Sequence, residues 1–104
     1  MLNRRRNKNF FAKLSISSTN FIPSQRAKWD FNSNGLSFLV ESDKTHDVVE
    51  YSFNGEDVHG DMTPLTPSEG IIFDGRFENN VWFRRKAESN NVVIVRVEAW
   101  QHEA

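Results

Sequence analysis

Three residues in one short segment carry side chains that can hold a metal ion or move a proton. Asp57, His59 and Asp61 alternate along the chain, so an extended backbone projects all three to the same side. Two carboxylates beside an imidazole suit a hard or borderline metal ion, or a weak general base. A metal would need a further ligand from elsewhere, and the spacing matches no established zinc or calcium motif. The favoured interpretation is a solvated acidic loop with one histidine at its bend.

Established catalytic motifs are missing from the sequence. It contains no GxSxG, HExxH, Walker or GxGxxG pattern, each of which places the groups of a particular reaction. The chain also has no cysteine, which excludes disulfides, thiolate metal sites and cysteine nucleophiles. We therefore expect a non-enzymatic protein without a cofactor or a metal site.

Charge is distributed very unevenly along the chain. Residues 1–29 include seven Lys or Arg and no acidic residue, whereas residues 30–104 include six basic and fourteen acidic residues. The two regions carry +7 and −8, which together give the net charge of −1. Such asymmetry is typical of a basic arm attached to an acidic body.

Three interpretations of the basic N-terminal segment stay open: a targeting peptide, a flexible terminus without a role, and an interaction arm. The apolar stretch at 10–14 is interrupted by a lysine and is too short for a secretory signal. An interaction arm would lay its cations on phosphates or on an acidic protein surface. We expect a basic arm over residues 1–25, with candidate partner-binding residues Arg4, Arg5, Arg6, Lys8, Phe10, Phe11 and Lys13.

The rest of the chain consists of short alternating segments separated by turn residues. Apolar side chains recur at every second position in 36–41 and in 92–100. The pairs Asn34-Gly35 and Asp74-Gly75 predict a hairpin turn and the end of another strand. No window shows a helical repeat. The pattern predicts one domain over residues 26–104, an all-β, antiparallel β-sandwich or partly open barrel.

A second set of candidate partner-binding residues lies near the C-terminus. Trp82 and Arg84 share one face of a predicted strand, and Arg96 would lie near them if the last two strands pair. A tryptophan among cations can stack on a nucleic-acid base, or can equally belong to an ordinary solvent-exposed face. The acidic body disfavours nucleic acid as the main partner. Trp100, close to the terminus, suits a contact between subunits.

Several segments resemble small virion proteins of tailed bacteriophages. They are VWFR at 81–84 and VRVEAW at 95–100, with SFNG at 52–55, VHGD at 58–61 and the proline-containing loop before residue 71. The resemblance covers residues 29–100. It implies a β-sandwich present in many copies in a virion, as a capsid decoration protein or as a neck or tail component. It also implies that the basic arm crosses a neighbouring subunit, and it brings no catalytic residues.

The resemblance and the residues lead to one functional expectation and one alternative. We expect a structural protein that assembles with itself or with other virion proteins through its N-terminal arm and sheet surfaces, and that has no membrane partner. The alternative is a monomeric β-sandwich module that binds carbohydrate or nucleic acid. Aromatic residues make up 12% of the chain, and an aromatic platform for sugars would serve that alternative.

Overall fold

Alternating apolar residues build six strands in the computed structural model, which describes residues 8–41, 48–62, 71–86 and 92–101. The strands form one sheet in the order β1-β6-β2-β5-β3-β4, and every pairing is antiparallel. A single 3-10 turn at Pro23–Gln25 precedes β2. The predicted antiparallel β-fold is confirmed. The strands are β1 (Lys8–Ile16), β2 (Arg26–Glu41), β3 (Val49–Ser52), β4 (Gly60–Met62), β5 (Ile71–Arg85) and β6 (Val93–Gln101).

The sheet bends over, so that its two halves enclose one core. Phe38 on β2 pairs in register with Ile71 at the start of β5. Phe83 lies near the end of β5, about 40 Å from Ile71 if that strand were straight. The rings of Phe38 and Phe83 are nevertheless only 5.2 Å apart. One bent sheet thus produces the sandwich-like core that two separate sheets would otherwise form.

A bulged region in β2 produces part of this bend and corrects the predicted hairpin. The register with β5 shifts between Lys28 and Ser33 and again between Ser33 and Gly35. Before the shifts the buried residues are odd-numbered, as at Trp29, and after them they are even-numbered, as at Phe38. The Asn34-Gly35 pair therefore lies inside one 16-residue strand, not in a turn. Each extra residue in a bulge moves the following side chains to the opposite face.

The strand end predicted at Asp74-Gly75 is also wrong, because β5 continues through it to Arg85. The carbonyl of Glu78 helps to join β5 to β2. It accepts a hydrogen bond from Trp29 Nε1 at 3.2 Å and another from Ser33 Oγ at 2.9 Å. Buried polar groups are stable only when they are paired in this way.

A buried glutamine ties the end of β1 to the end of β5. Gln25 is 1% exposed, and its Oε1 accepts hydrogen bonds from the backbone amides of Ser17 and Ser18 at 2.8 and 2.7 Å. Its Nε2 donates to the carbonyl of Phe83 at 3.1 Å. The amide of Arg85 donates to the carbonyl of Ser18. These bonds connect segments that are distant in sequence and hold the sheet in its bent shape.

Aromatic rings fill much of the core. The ring of Phe38 is fully buried and lies within 6.3 Å of four others, those of Tyr51, Phe53, Phe73 and Phe83. Two of these pairs, those with Tyr51 and Phe83, meet edge to face, the arrangement that aromatic quadrupoles favour. β6, which pairs with β2, contributes aliphatic side chains to the core, because it buries Val93, Val95, Val97 and Ala99. That alternation agrees with the sequence prediction for 92–100.

Much of the predicted N-terminal arm lies in the sheet. β1 pairs along its whole length with β6, from Lys8 opposite Gln101 to Ile16 opposite Val93. Residues 8–25 of the predicted arm thus contribute a strand and the 3-10 turn to the domain. Arg4, Arg5 and Arg6 lie outside the described residues.

Candidate assembly interface

The free edge of the sheet at β1 is the first feature of the candidate interface. β1 is nine residues long, contains no proline, and pairs with β6 without a register shift. None of the described strands pairs with its other edge. Alternate backbone N–H and C=O groups on an antiparallel edge point away from the sheet. Such a row is a template for another strand.

The inward face of β1 is only partly covered by its own chain. Ile16 at the end of the strand is fully buried. Phe10 and Leu14 pack against the core but stay partly exposed. Their partial exposure places apolar surface along the free edge, where a further strand would cover it.

The outward face of β1 combines an exposed ring with charges. Phe11 is 53% exposed, and the guanidinium carbon of Arg96 lies 5.6 Å from its ring centroid. Lys13 is directly opposite Arg96 in the register. Both cations contact Glu41, through Lys13 Nζ at 3.3 Å and Arg96 Nε at 3.5 Å. Like charges on neighbouring strands are therefore held together by a shared carboxylate.

This outward face continues across the sheet from the free edge. The register places Phe11, Glu98, Ser37 and Ile72 in one row across β1, β6, β2 and β5. Ile72 is 61% exposed. Exposed apolar side chains therefore stand at both ends of a polar row, a mixed composition that suits a contact surface better than a catalytic pocket.

The last two strands do not pair with each other, because β6 lies between β1 and β2. Arg96 is consequently beside Lys13, not beside Trp82 or Arg84. In antiparallel folds the neighbour of a strand depends on the whole topology. Sequence adjacency alone predicted a patch that the sheet divides between its two halves.

Trp82 and Arg84 lie on the other half of the sheet, where both already have partners. The guanidinium carbon of Arg26 lies 4.7 Å from the Trp82 ring centroid. Arg84 Nε donates to Glu50 Oε1 at 2.8 Å, and its guanidinium also covers the ring of Phe21 at 4.5 Å. Because these arginines already contact a carboxylate or an aromatic ring, they are poorly suited to bind a phosphate backbone. The cluster stabilises the surface of the fold.

Trp100 stands in β6 as part of the sheet, and it is partly buried. Its indole lies directly over Gly35, where an added Cβ would overlap Nε1 and Cε2. Gly35 is thus required by the close approach of the indole to the bulged strand. The tryptophan that the sequence singled out as a subunit contact is at least in part a packing residue.

A cleft of about 440 Å³ opens between β1 and the first half of β2. Phe10 and Trp29 form its apolar wall, with ring centroids 5.2 Å apart. Its lining comprises Asn9, Phe10, Lys28, Trp29, Asp30 and Phe31. Aromatic walls with a polar rim are common in sites for small ligands, although Trp29 itself is only 4% exposed.

Of the three alternating acidic and histidine residues, Asp57 and His59 lie in a turn held by local hydrogen bonds, whereas Asp61 lies in β4 with its Oδ2 3.8 Å from Lys86 Nζ. His59 Nδ1 accepts a hydrogen bond from the Phe53 amide at 3.0 Å. Asp57 Oδ2 accepts one from Asn54 Nδ2 at 2.9 Å, and Gly55 adopts the left-handed conformation with φ of 80°. Among the described residues no cluster of three metal-ligating side chains occurs. The histidine closes a turn.

Two further β1 residues belong to the candidate interface and were not singled out in sequence. Ala12 is in the middle of the strand and Asn9 is near its start. Neither has an unusual side chain, so composition carried no signal for them. Their position along a free edge is the signal, and it requires the strand order to be known.

Comparison of the chain with protein families, curated proteins and solved structures gives no match. No helix in the described part of the chain is long and apolar enough to cross a membrane.

Proposed function

We propose that this protein is a non-enzymatic structural subunit that assembles with copies of itself and with other proteins of a particle. The observation that carries the proposal is the regular, nine-residue free edge of β1. The resemblance to virion proteins of tailed bacteriophages supports a virion as that particle. In such a setting each edge would be covered by a neighbour.

The two ends of the sheet differ in a way that supports assembly through β1. Monomeric proteins blunt their sheet edges with short strands, bulges, prolines and charges. The opposite end of the sheet follows this practice, because β4 has only three residues. β1 is three times as long, and Lys8 and Lys13 are its only charged residues. A strand added there would pair outward-pointing backbone groups and cover Phe10 and Leu14.

Charge supports repeated contacts between chains. The +7 of residues 1–29 and the −8 of the remainder attract each other when copies lie side by side. Part of the acidic surface is already neutralised within the chain, as at Glu41 and Glu50. Nucleic acid is a less suitable partner, because the body repels phosphates and several of its cations are paired.

The proposal is tested by the solution mass of the full chain, measured by light scattering across protein concentration and salt. We expect multimers whose population rises with concentration and falls with salt. Removal of residues 1–7 leaves β1 intact and separates the arginines from the strand edge. If the shortened chain still assembles, the edge is sufficient. A monomer of 12.1 kDa under every condition would contradict self-assembly.

One observation favours a second candidate function, a monomeric carbohydrate-binding module. The cleft joins the partly exposed rings of Phe10 and Phe31 to amide, carboxylate and ammonium groups, a combination that can stack on a sugar ring and bond its hydroxyls. Tryptophan fluorescence titrated with a panel of defined oligosaccharides tests it. Saturable binding by a strict monomer would replace the assembly proposal.

A further inference from the structure

We infer that β1 pairs antiparallel with β1 of a second copy, with Ala12 on the twofold axis between them. The inference rests on the proposed function and specifies its first contact. Full pairing in this register matches every residue of the nine-residue strand with one in the second copy. The two bent sheets would become one continuous sheet across the dimer.

Strand length favours β1 over β4 as the partner of β1. β4 spans only Gly60–Met62, so pairing β1 with β4 of another copy would leave most of its free edge unpaired. A second β1 pairs all of it. The contact is also isologous, and it closes after two copies instead of propagating as a fibre.

The outward side chains select the register. In an antiparallel pair, directly opposed residues share a face and interact. With Ala12 on the axis, Phe11 of each copy is opposite Lys13 of the other, which places an ammonium beside an exposed ring. A shift that puts Lys13 on the axis opposes two lysines, which is unfavourable. A shift that puts Phe11 on the axis leaves Ser15 and Ile16 without partners.

The inward side chains agree with the same register. Phe10 of each copy would be opposite Leu14 of the other, and these are the two residues of β1 that pack on the core yet stay partly exposed. Ala12 would be opposite itself, where its small side chain lets the two backbones approach without a clash. The dimer would thus cover the apolar surface that one chain leaves open.

A single introduced cysteine tests the register, because the chain has no cysteine of its own that could form another disulfide. The variant A12C in the full chain should form a disulfide-linked dimer under mild oxidation. Directly opposed strand residues meet the distance requirement for a disulfide. The variants F11C and K13C are matched controls at the neighbouring positions. We expect A12C to cross-link about tenfold faster than either control.

The outcomes separate this inference from the proposed function. Faster cross-linking of F11C or of K13C would overturn the register with Ala12 on the axis. A chain that is multimeric by light scattering but forms no disulfide through A12C would overturn the β1 pairing and leave assembly standing. A chain that is monomeric throughout would overturn both.

Two substitutions of opposite charge at Phe11 give an independent test. F11K would oppose lysines across the interface twice, and F11E would place a carboxylate beside each Lys13. We expect F11K to weaken the dimer about tenfold and F11E to strengthen it. If both variants weaken it equally, Phe11 faces Phe11 and the inference fails. Thermal unfolding of both variants shows whether the monomer fold is retained.

Discussion

Gln25 is expected to be one of the most sensitive polar positions in the chain. Its side chain makes five hydrogen bonds, and the three shortest join it to the amides of Ser17 and Ser18 and to the carbonyl of Phe83. The substitution Gln25→Ala removes all five at once. It also leaves a small cavity, because Gln25 is 1% exposed.

The expected loss follows from the burial of each bond. The bond to Phe83 is buried, and its loss leaves an unsatisfied carbonyl that costs about 1–3 kcal/mol. The two bonds to serine amides are partly buried, and each contributes about 0.5–1.5 kcal/mol. Gln25→Ala should therefore lower the free energy of unfolding by about 4 kcal/mol, a large fraction of the ~5–15 kcal/mol typical of a domain.

Urea unfolding followed by tryptophan fluorescence measures this loss, with Gln101→Ala as the matched control. Gln101 Nε2 donates to the carbonyl of Asn32 at 2.8 Å in an exposed position, where water can replace the bond. The control should lose less than about 1 kcal/mol. Equal losses in the two variants would refute the argument that Gln25 joins β1 to β5.

Three further tests by substitution probe other contacts. Gly35→Ala forces the Trp100 indole to move and should cost about 2 kcal/mol, with a coupling to Trp100→Ala that a double-mutant cycle detects. Phe38→Ala should cost about 4 kcal/mol in urea unfolding, whereas Phe11→Ala, an exposed ring, should cost less than about 1 kcal/mol. Arg84→Met should cost about 1 kcal/mol, and a smaller cost in 1 M NaCl would identify the lost term as electrostatic.

Local sequence patterns were sufficient to predict β6 and the fold class. Residues 93, 95, 97 and 99 are aliphatic and buried, whereas the residues between them are partly or fully exposed. A half-buried strand needs only this pattern, so periodicity alone identified it. The same reasoning correctly placed Leu36, Phe38 and Val40 on one face.

The Asn-Gly and Asp-Gly pairs led to wrong predictions of turns and strand ends, because both pairs lie inside long strands. Asn34-Gly35 is a strong hairpin signal, but Gly35 is needed because an indole covers it. Asp74-Gly75 lies within β5, which is long enough to contribute to both halves of the bent sheet. A local signal does not reveal that a strand continues because it has partners on both sides.

The candidate interface required the strand order, which the sequence did not reveal. Lys8, Phe10, Phe11 and Lys13 were singled out for their charge and aromatic character as parts of an arm. They contribute to an edge strand because β6 pairs with β1. Gln25 was missed altogether, since its partner Phe83 is 58 residues away and a glutamine in sequence gives no sign of burial.

Amide hydrogen exchange of β1, measured at increasing protein concentration, tests assembly through this edge most directly. In the free chain, alternate amides of Lys8–Ile16 should exchange rapidly and the others should be protected by β6. As the chain assembles, we expect the rapidly exchanging amides of β1 to become protected, whereas those of Gly60–Met62 should not change. Rapid exchange at those β1 positions in a fully assembled sample would contradict assembly through β1.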